Sequence, residues 1–121
     1  MSKEWSPQDI FEVLASRTAR DILVASSRRE MSARELAETC GVSRPTVYRR
    51  INELHKYDLL AQDVAIGREG NHYHTYETNM DRICFDIEDC EFVVTVRFEE
   101  DLVDRFISTW TRFGQPENGE A

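Results

Sequence analysis

Apolar residues recur at helical spacing through the first half of the chain and at strand spacing after residue 58. Ser6-Pro7 is a helix cap followed by proline at the first helical position, where no amide hydrogen is missed. Ile10, Phe11, Val13 and Leu14 then form one stripe. A second helix is predicted from near Ser16 to about Ser26, burying Ala19, Ile22, Leu23 and Ala25. Ser32 with Glu35 three residues on is a capping box, opening ARELAETC with Ala33, Leu36, Ala37 and Cys40 on its apolar face. Gly41 ends that helix, because glycine accepts the left-handed conformation at a helix end. Val42 fills the turn, and Ser43 caps a further helix from Arg44 to about Tyr57. There Val47, Ile51 and Leu54 fall at i, i+4 and i+7 as the buried stripe. Pro45, Arg49, Asn52 and Lys56 face the other way, with Arg44, Thr46, Tyr48 and Arg50 on the flanks.

The period then drops to two. LLAQDVAI reads as a strand, GREGN as a polar turn, and HYHTYET as a return strand. Alternation puts His72, His74 and Tyr76 on one face of it, and Tyr73, Thr75 and Glu77 on the other. Two more strands follow. RICFDIE aligns Ile83, Phe85 and Ile87; EFVVTVRF aligns Phe92, Val94, Val96 and Phe98; Asp89-Cys90 sits near their turn. EEDLVDRFISTWTRF predicts a last helix over 99–113, with an acidic first turn that suits the helix dipole.

Two helices joined by a glycine turn, the second one basic, form a helix-turn-helix, and the hairpin after it is a wing. The expected fold is α+β: a winged helix-turn-helix of three core helices plus a β wing over residues 1–80. An extra β-hairpin and a C-terminal dimerisation helix are expected over residues 81–121.

Charge sharpens this picture. The chain of 121 residues carries a formal net charge of −8. Yet residues 28–57 hold seven Arg or Lys against four Asp or Glu, while residues 81–121 hold four against eleven. Bulk charge argues against nucleic acid and the local patch argues for it. Lys3 and Lys56 are the only lysines beside thirteen arginines. No run of about 18 apolar residues exists, so no membrane span is expected. MSKEWSPQD lacks the apolar core of a signal peptide, so a cytoplasmic protein is expected, with Cys40, Cys84 and Cys90 as reduced thiols.

RELAETCGVSRPTVYRRINELHKYDLL, followed by GREGNHYHTYE, resembles the ArsR-like winged helix-turn-helix regulators of archaea, most closely the small haloarchaeal ones. The shared pattern is the ELA helix, the GVS turn, PTVxRxIxxL and a tyrosine-bearing wing strand, over about residues 12–80. The acidic, lysine-poor composition fits salt-loving archaea by the same resemblance. The resemblance implies a dimeric transcription regulator that binds double-stranded DNA. Metal-sensing members carry paired cysteines in the helix before the turn; RELAETC has one, so their thiolate site does not carry over. No cofactor is expected.

A helix fits the major groove of B-DNA with its N-terminal half against the base edges. That half holds Arg44, Pro45, Thr46, Tyr48 and Arg49, with Ser43 at its cap. Arginine can grip guanine O6 and N7 with two hydrogen bonds, and Thr46 can meet a base or a thymine methyl. Arg50 lies nearer the buried side and points to a phosphate. Ser32 and Arg34 open the preceding helix, a usual place for backbone contacts. Arg68 and Asn71 would set the wing on the backbone or minor groove. The competing reading is an ordinary solvated helix face, with Arg49 and Arg50 paired to Glu53.

One such helix reads only a few base pairs, so a two-fold homodimer is expected. Its interface is predicted on Leu102, Val103, Phe106, Ile107, Trp110 and Phe113, joined by Trp5 and Phe11. His72, His74, Cys84 and Cys90 raise the question of a metal or thiol switch, although small buried hydrophobes are the commoner fate of cysteine. A winged-helix protein–protein module without DNA binding is the alternative function. No phosphate loop, nucleophile elbow or paired-carboxylate arrangement points to an enzyme.

Overall fold

The computed structural model describes residues 2–98. In chain order these form β1 (Ser2–Trp5), α1 (Pro7–Leu14), α2 (Arg17–Ala25), β2 (Met31–Ser32), α3 (Ala33–Cys40), α4 (Arg44–Lys56), β3 (Leu60–Ile66), β4 (His72–Thr78), β5 (Met80–Glu88) and β6 (Glu91–Phe98). The predicted last helix, with Leu102, Val103, Phe106, Ile107, Trp110 and Phe113, lies outside the described residues.

Local chemistry sets the helix ends. Ser16 Oγ accepts from the Ala19 amide at 3.1 Å to start α2. At α3 the full capping box forms: Ser32 Oγ accepts from Glu35 N at 3.1 Å, and Glu35 Oε1 accepts from Ser32 N at 2.9 Å. Gly41 closes α3 at φ 69°, where any Cβ would be strained. Ser43 then caps α4. Helices α2, α3 and α4 converge on a core of Ile22, Leu36, Val47, Ile51 and Leu54, which Leu59, Leu60, Tyr76 and Val96 complete.

Two three-stranded antiparallel sheets frame the helices, in the orders β2-β4-β3 and β1-β6-β5. The wing is β3 and β4, in register from Leu60↔Thr78 to Ile66↔His72. Only Asn79 separates β4 from β5, so the chain steps from one sheet into the other at a single residue. That corner is tied down: Asn79 N donates to Leu59 O at 2.9 Å, and Asn79 Nδ2 to Asp58 O at 3.0 Å. The hairpin β5–β6 turns through Asp89 and Cys90, both at positive φ (51° and 67°), the turn whose twist matches the strands.

Two features were not read from the sequence. The N-terminus forms strand β1, pairing Ser2↔Arg97 through Trp5↔Val94. Trp5 packs edge-to-face on Tyr57, with ring centroids 5.3 Å apart. The apolar face of the β5–β6 hairpin is buried only at its base. Val94 and Val96 are inside, but Phe85 (38%), Ile87 (73%) and Phe92 (55%) are exposed. Phe11 of α1 stacks on Phe85 at 4.7 Å and meets Phe92 edge-on at 5.7 Å, and is itself 41% exposed.

Candidate nucleic-acid interface

The N-terminus of α3, the first turns of α4 and the wing strand β4 converge on a cavity of about 590 Å³. Ser32 and Arg34 line it from α3, Arg44 and Tyr48 from α4, and Asn71 from the wing turn. Five of the eleven DNA-contact residues expected from sequence therefore meet in one concave surface. The other six surround it or stand apart. Pro45 and Arg49 are on the exposed face of α4, and Arg68 is at the exposed wing tip.

Ser43 and Thr46 serve the helix first. Ser43 Oγ accepts from Thr46 N at 3.3 Å and donates to Thr46 Oγ1 at 3.0 Å. Both stay at the N-terminal end of α4, where exposed amides and the helix dipole favour an anion. Arg50 is held inward. Its Nη1 pairs with Glu53 Oε1 at 2.9 Å, and its Nε is buried without a hydrogen-bond partner among the described residues. Arg34 pairs loosely with Glu38 at 3.6 Å, both well exposed, so a phosphate can replace that carboxylate at little cost. Arg44 and Arg49 make no ion pair with a described residue.

Glu35 anchors the α3 end of the groove. The Ser32 amide, then the Arg29 guanidinium, hold its carboxyl below the ordinary value of 4.5, against the opposing effect of partial burial. Tyr76, on the buried side of wing strand β4, has its phenol pushed up by burial and by neighbouring Tyr48. The wing turn is set by Gly67 and Gly70: Gly67 N donates to Asn71 O at 2.7 Å, and Gly70 adopts φ 83°.

Four lining residues stand outside the expected contacts: Ala33 and Glu35, read as core and cap, and the wing-strand pair Tyr73 and His74. Strict alternation assigns that pair to opposite faces, but both line the cavity. The signal available was their place directly after Asn71. His74 Nδ1 lies 3.3 Å from Gln62 Nε2 across the hairpin.

Comparison with known proteins agrees with this architecture. Residues 14–63 match a family model described as a helix-turn-helix domain. No protein of curated function matches the chain. Among solved structures, a possible transcriptional regulator from Methanosarcina mazei Go1 superposes with TM-score 0.50. The two are 14% identical, over 89% of this chain and 82% of that one. NolR from Sinorhizobium fredii superposes with TM-score 0.41 at 12% identity, over 92% of this chain and 95% of that one, a likeness too loose to bear weight. The first of these supports the fold; at such identity it says nothing of a ligand.

The residues raised as a switch do not come together. Cys84 lies opposite Thr95 along β5, while Cys90 is in the turn beyond Glu88. Four extended residues from Cys84 to Glu88 already span about 13 Å, far beyond disulfide reach. His72 and His74 are on the other sheet. Among the described residues no three His, Cys, Asp or Glu groups are placed to hold one metal ion, and no helix is long and apolar enough to cross a membrane.

Proposed function

We propose that this chain is a sequence-specific, double-stranded-DNA-binding transcription regulator that acts as a homodimer. Helix α4 enters the major groove with Arg44, Thr46, Tyr48 and Arg49 toward the base edges. Ser32, Arg34, Ser43 and Arg50 serve the backbone, with Pro45 against the groove wall. The wing, through Arg68 and Asn71, follows the backbone or minor groove. One observation carries this reading: the cavity that joins the α3 N-terminus, the start of α4 and the wing, with Arg34 and Arg44 on its walls in a chain of net charge −8. Concentrating positive charge on one concave face is what DNA contact requires.

The exposed cluster Phe11, Phe85, Ile87 and Phe92 supports a protein contact as well. Self-association through it and through Leu102–Phe113 accounts for that apolar surface within the dimeric reading. A module that binds another protein in place of DNA is the second reading the same cluster favours. The lysine-poor acidic composition supports a salt-rich cytoplasm as the working environment.

The test is a titration of labelled DNA from the gene's own upstream region across KCl concentrations, with unrelated DNA as competitor. Wild type is expected to prefer its own DNA, and a Thr46→Ala, Arg49→Ala double variant to lose that preference. Failure to bind any DNA at low salt would sink the proposal and favour the protein-interaction module.

A further inference from the structure

A second cavity, of about 750 Å³, lies on the outer side of α2 and α3, away from the recognition helix. Its size is that of a small-molecule site. Three arginines line it, Arg17 and the loop pair Arg28 and Arg29, against a single carboxylate, Asp21. With Arg29 also paired to Glu35 just outside the lining, one positive charge, that of Arg28, is in excess in a strongly acidic chain. Arg17 meets Asp21 only at 3.7 Å on an exposed surface, and Arg28 has no ion pair with a described residue. Between the arginines the lining is mainly apolar, Val24, Ala25, Met31 and Cys40, with the one hydroxyl of Thr39. Val24 is 66% exposed, a large aliphatic left uncovered in the last turn of α2. Burial, reinforced by Asp21, pushes the Cys40 thiol up, so it stays neutral and contributes apolar surface rather than a nucleophile.

An apolar strip ringed by guanidinium groups fits one kind of ligand, an anion with a hydrocarbon body. We propose that this groove binds an organic carboxylate, its head on Arg28 and Arg17 or Arg29 and its apolar body along Val24, Met31 and Cys40. Guanidinium groups hold carboxylates through two parallel hydrogen bonds, which fixes the head and leaves the body to the strip.

The site is wired to the DNA-facing groove. Arg29 Nη2 reaches Glu35 Oε2 at 3.2 Å, and Glu35 is the carboxylate of the capping box that holds Ser32. Next to Arg29, Glu30 Oε1 accepts from Thr75 Oγ1 of wing strand β4 at 2.7 Å. A ligand carboxylate on Arg29 competes with Glu35, so occupancy loosens the α3 cap at the wall of the groove. This coupling rests on the DNA-binding reading; the ligand site does not.

Isothermal calorimetry on the full chain tests the site without DNA, using octanoate, acetate and 1-octanol as probes. Octanoate is expected to bind saturably, with Kd about 1 mM or tighter, and acetate and 1-octanol at least about tenfold more weakly. Arg28→Ala and Val24→Asp, both at exposed positions, are each expected to weaken octanoate about tenfold or more, with circular dichroism confirming an unchanged fold. Absence of saturable octanoate binding, equal binding of acetate, or unaltered binding by both variants would each overturn the proposal. The upstream-DNA titration is then repeated with saturating octanoate. Unchanged DNA affinity removes the coupling, and absence of DNA binding in either condition counts against the regulator reading alone.

Discussion

Ser26 Oγ lies 3.0 Å from Thr78 Oγ1 in the protein interior, joining the end of α2 to the end of the wing strand β4. Each hydroxyl also reaches a backbone carbonyl of α2: Ser26 that of Ile22 at 2.7 Å, Thr78 that of Leu23 at 2.6 Å. Thr78 N donates to Ser26 O at 3.1 Å. The wing is therefore fastened at its base to the helical core by a buried polar cluster. Thr78→Val keeps the shape and removes the hydroxyl, leaving Ser26 without its cross-element partner. The expected loss is about 1–3 kcal/mol in urea or thermal unfolding. An unchanged midpoint would show that the cluster adds nothing to stability.

The capping box gives a pH signature. Glu35 is held below its ordinary 4.5 by the Ser32 amide and by Arg29, so its folded pKa is depressed relative to the unfolded chain. A depressed carboxyl contributes stability that is present above the unfolded value and is lost as pH falls through the folded one. Glu35→Gln is expected to be less stable than wild type at pH 7, with the gap closing as pH falls below about 4.5. A gap that persists undiminished at pH 3 would mean the carboxylate charge plays no part. Ser32→Ala removes the other half of the box, at a cost of about 1 kcal/mol.

The β5–β6 turn offers a gain. Cys90 sits at φ 67°, a conformation that costs a non-glycine residue roughly 1 kcal/mol. Its side chain is exposed, so little packing is lost on removing it. Cys90→Gly is expected to raise the thermal midpoint by a few degrees, about 1 kcal/mol for a domain of this size. A lower midpoint would show that the thiol makes a contact the backbone argument overlooks.

Helices and their caps were legible because their determinants are local: Ser32 and Glu35, or Ser43 and Thr46, are three residues apart and meet in any helix they begin. The i, i+4, i+7 spacing of Val47, Ile51 and Leu54 likewise needs no partner to be read. Strand β1 was not legible. SKEW has no alternation of its own, and it is a strand only because β6, ninety residues on, presents Val94 to Arg97 beside it. The half-exposed hairpin face was hidden for the same reason. Phe85 and Val94 are indistinguishable by pattern, and their burial depends on how far along the strand the helical core extends. Within the site, the identity of the α4 residues could be read from the motif. The pairing of Arg50 with Glu53 was open from helical spacing alone, whereas the inclusion of Tyr73 and His74 depends on how the helix and the wing come together in three dimensions.

Arg34 and Arg49 separate the two kinds of DNA contact the proposed interface implies. Arg49 is exposed on α4, with no described ion pair to give up, and is assigned a base edge. Arg34 opens α3 and is assigned a phosphate. Arg49→Ala is expected to cost about 1–3 kcal/mol on the preferred sequence and much less on unrelated DNA, so preference narrows. Arg34→Ala is expected to weaken both alike and to make the slope of log K against log salt shallower by about 0.9. Raising KCl should therefore erase the difference between Arg34→Ala and wild type while the Arg49→Ala difference persists. The reverse pattern, with Arg34→Ala selective and Arg49→Ala uniform, would mean that α3 rather than α4 reads the sequence.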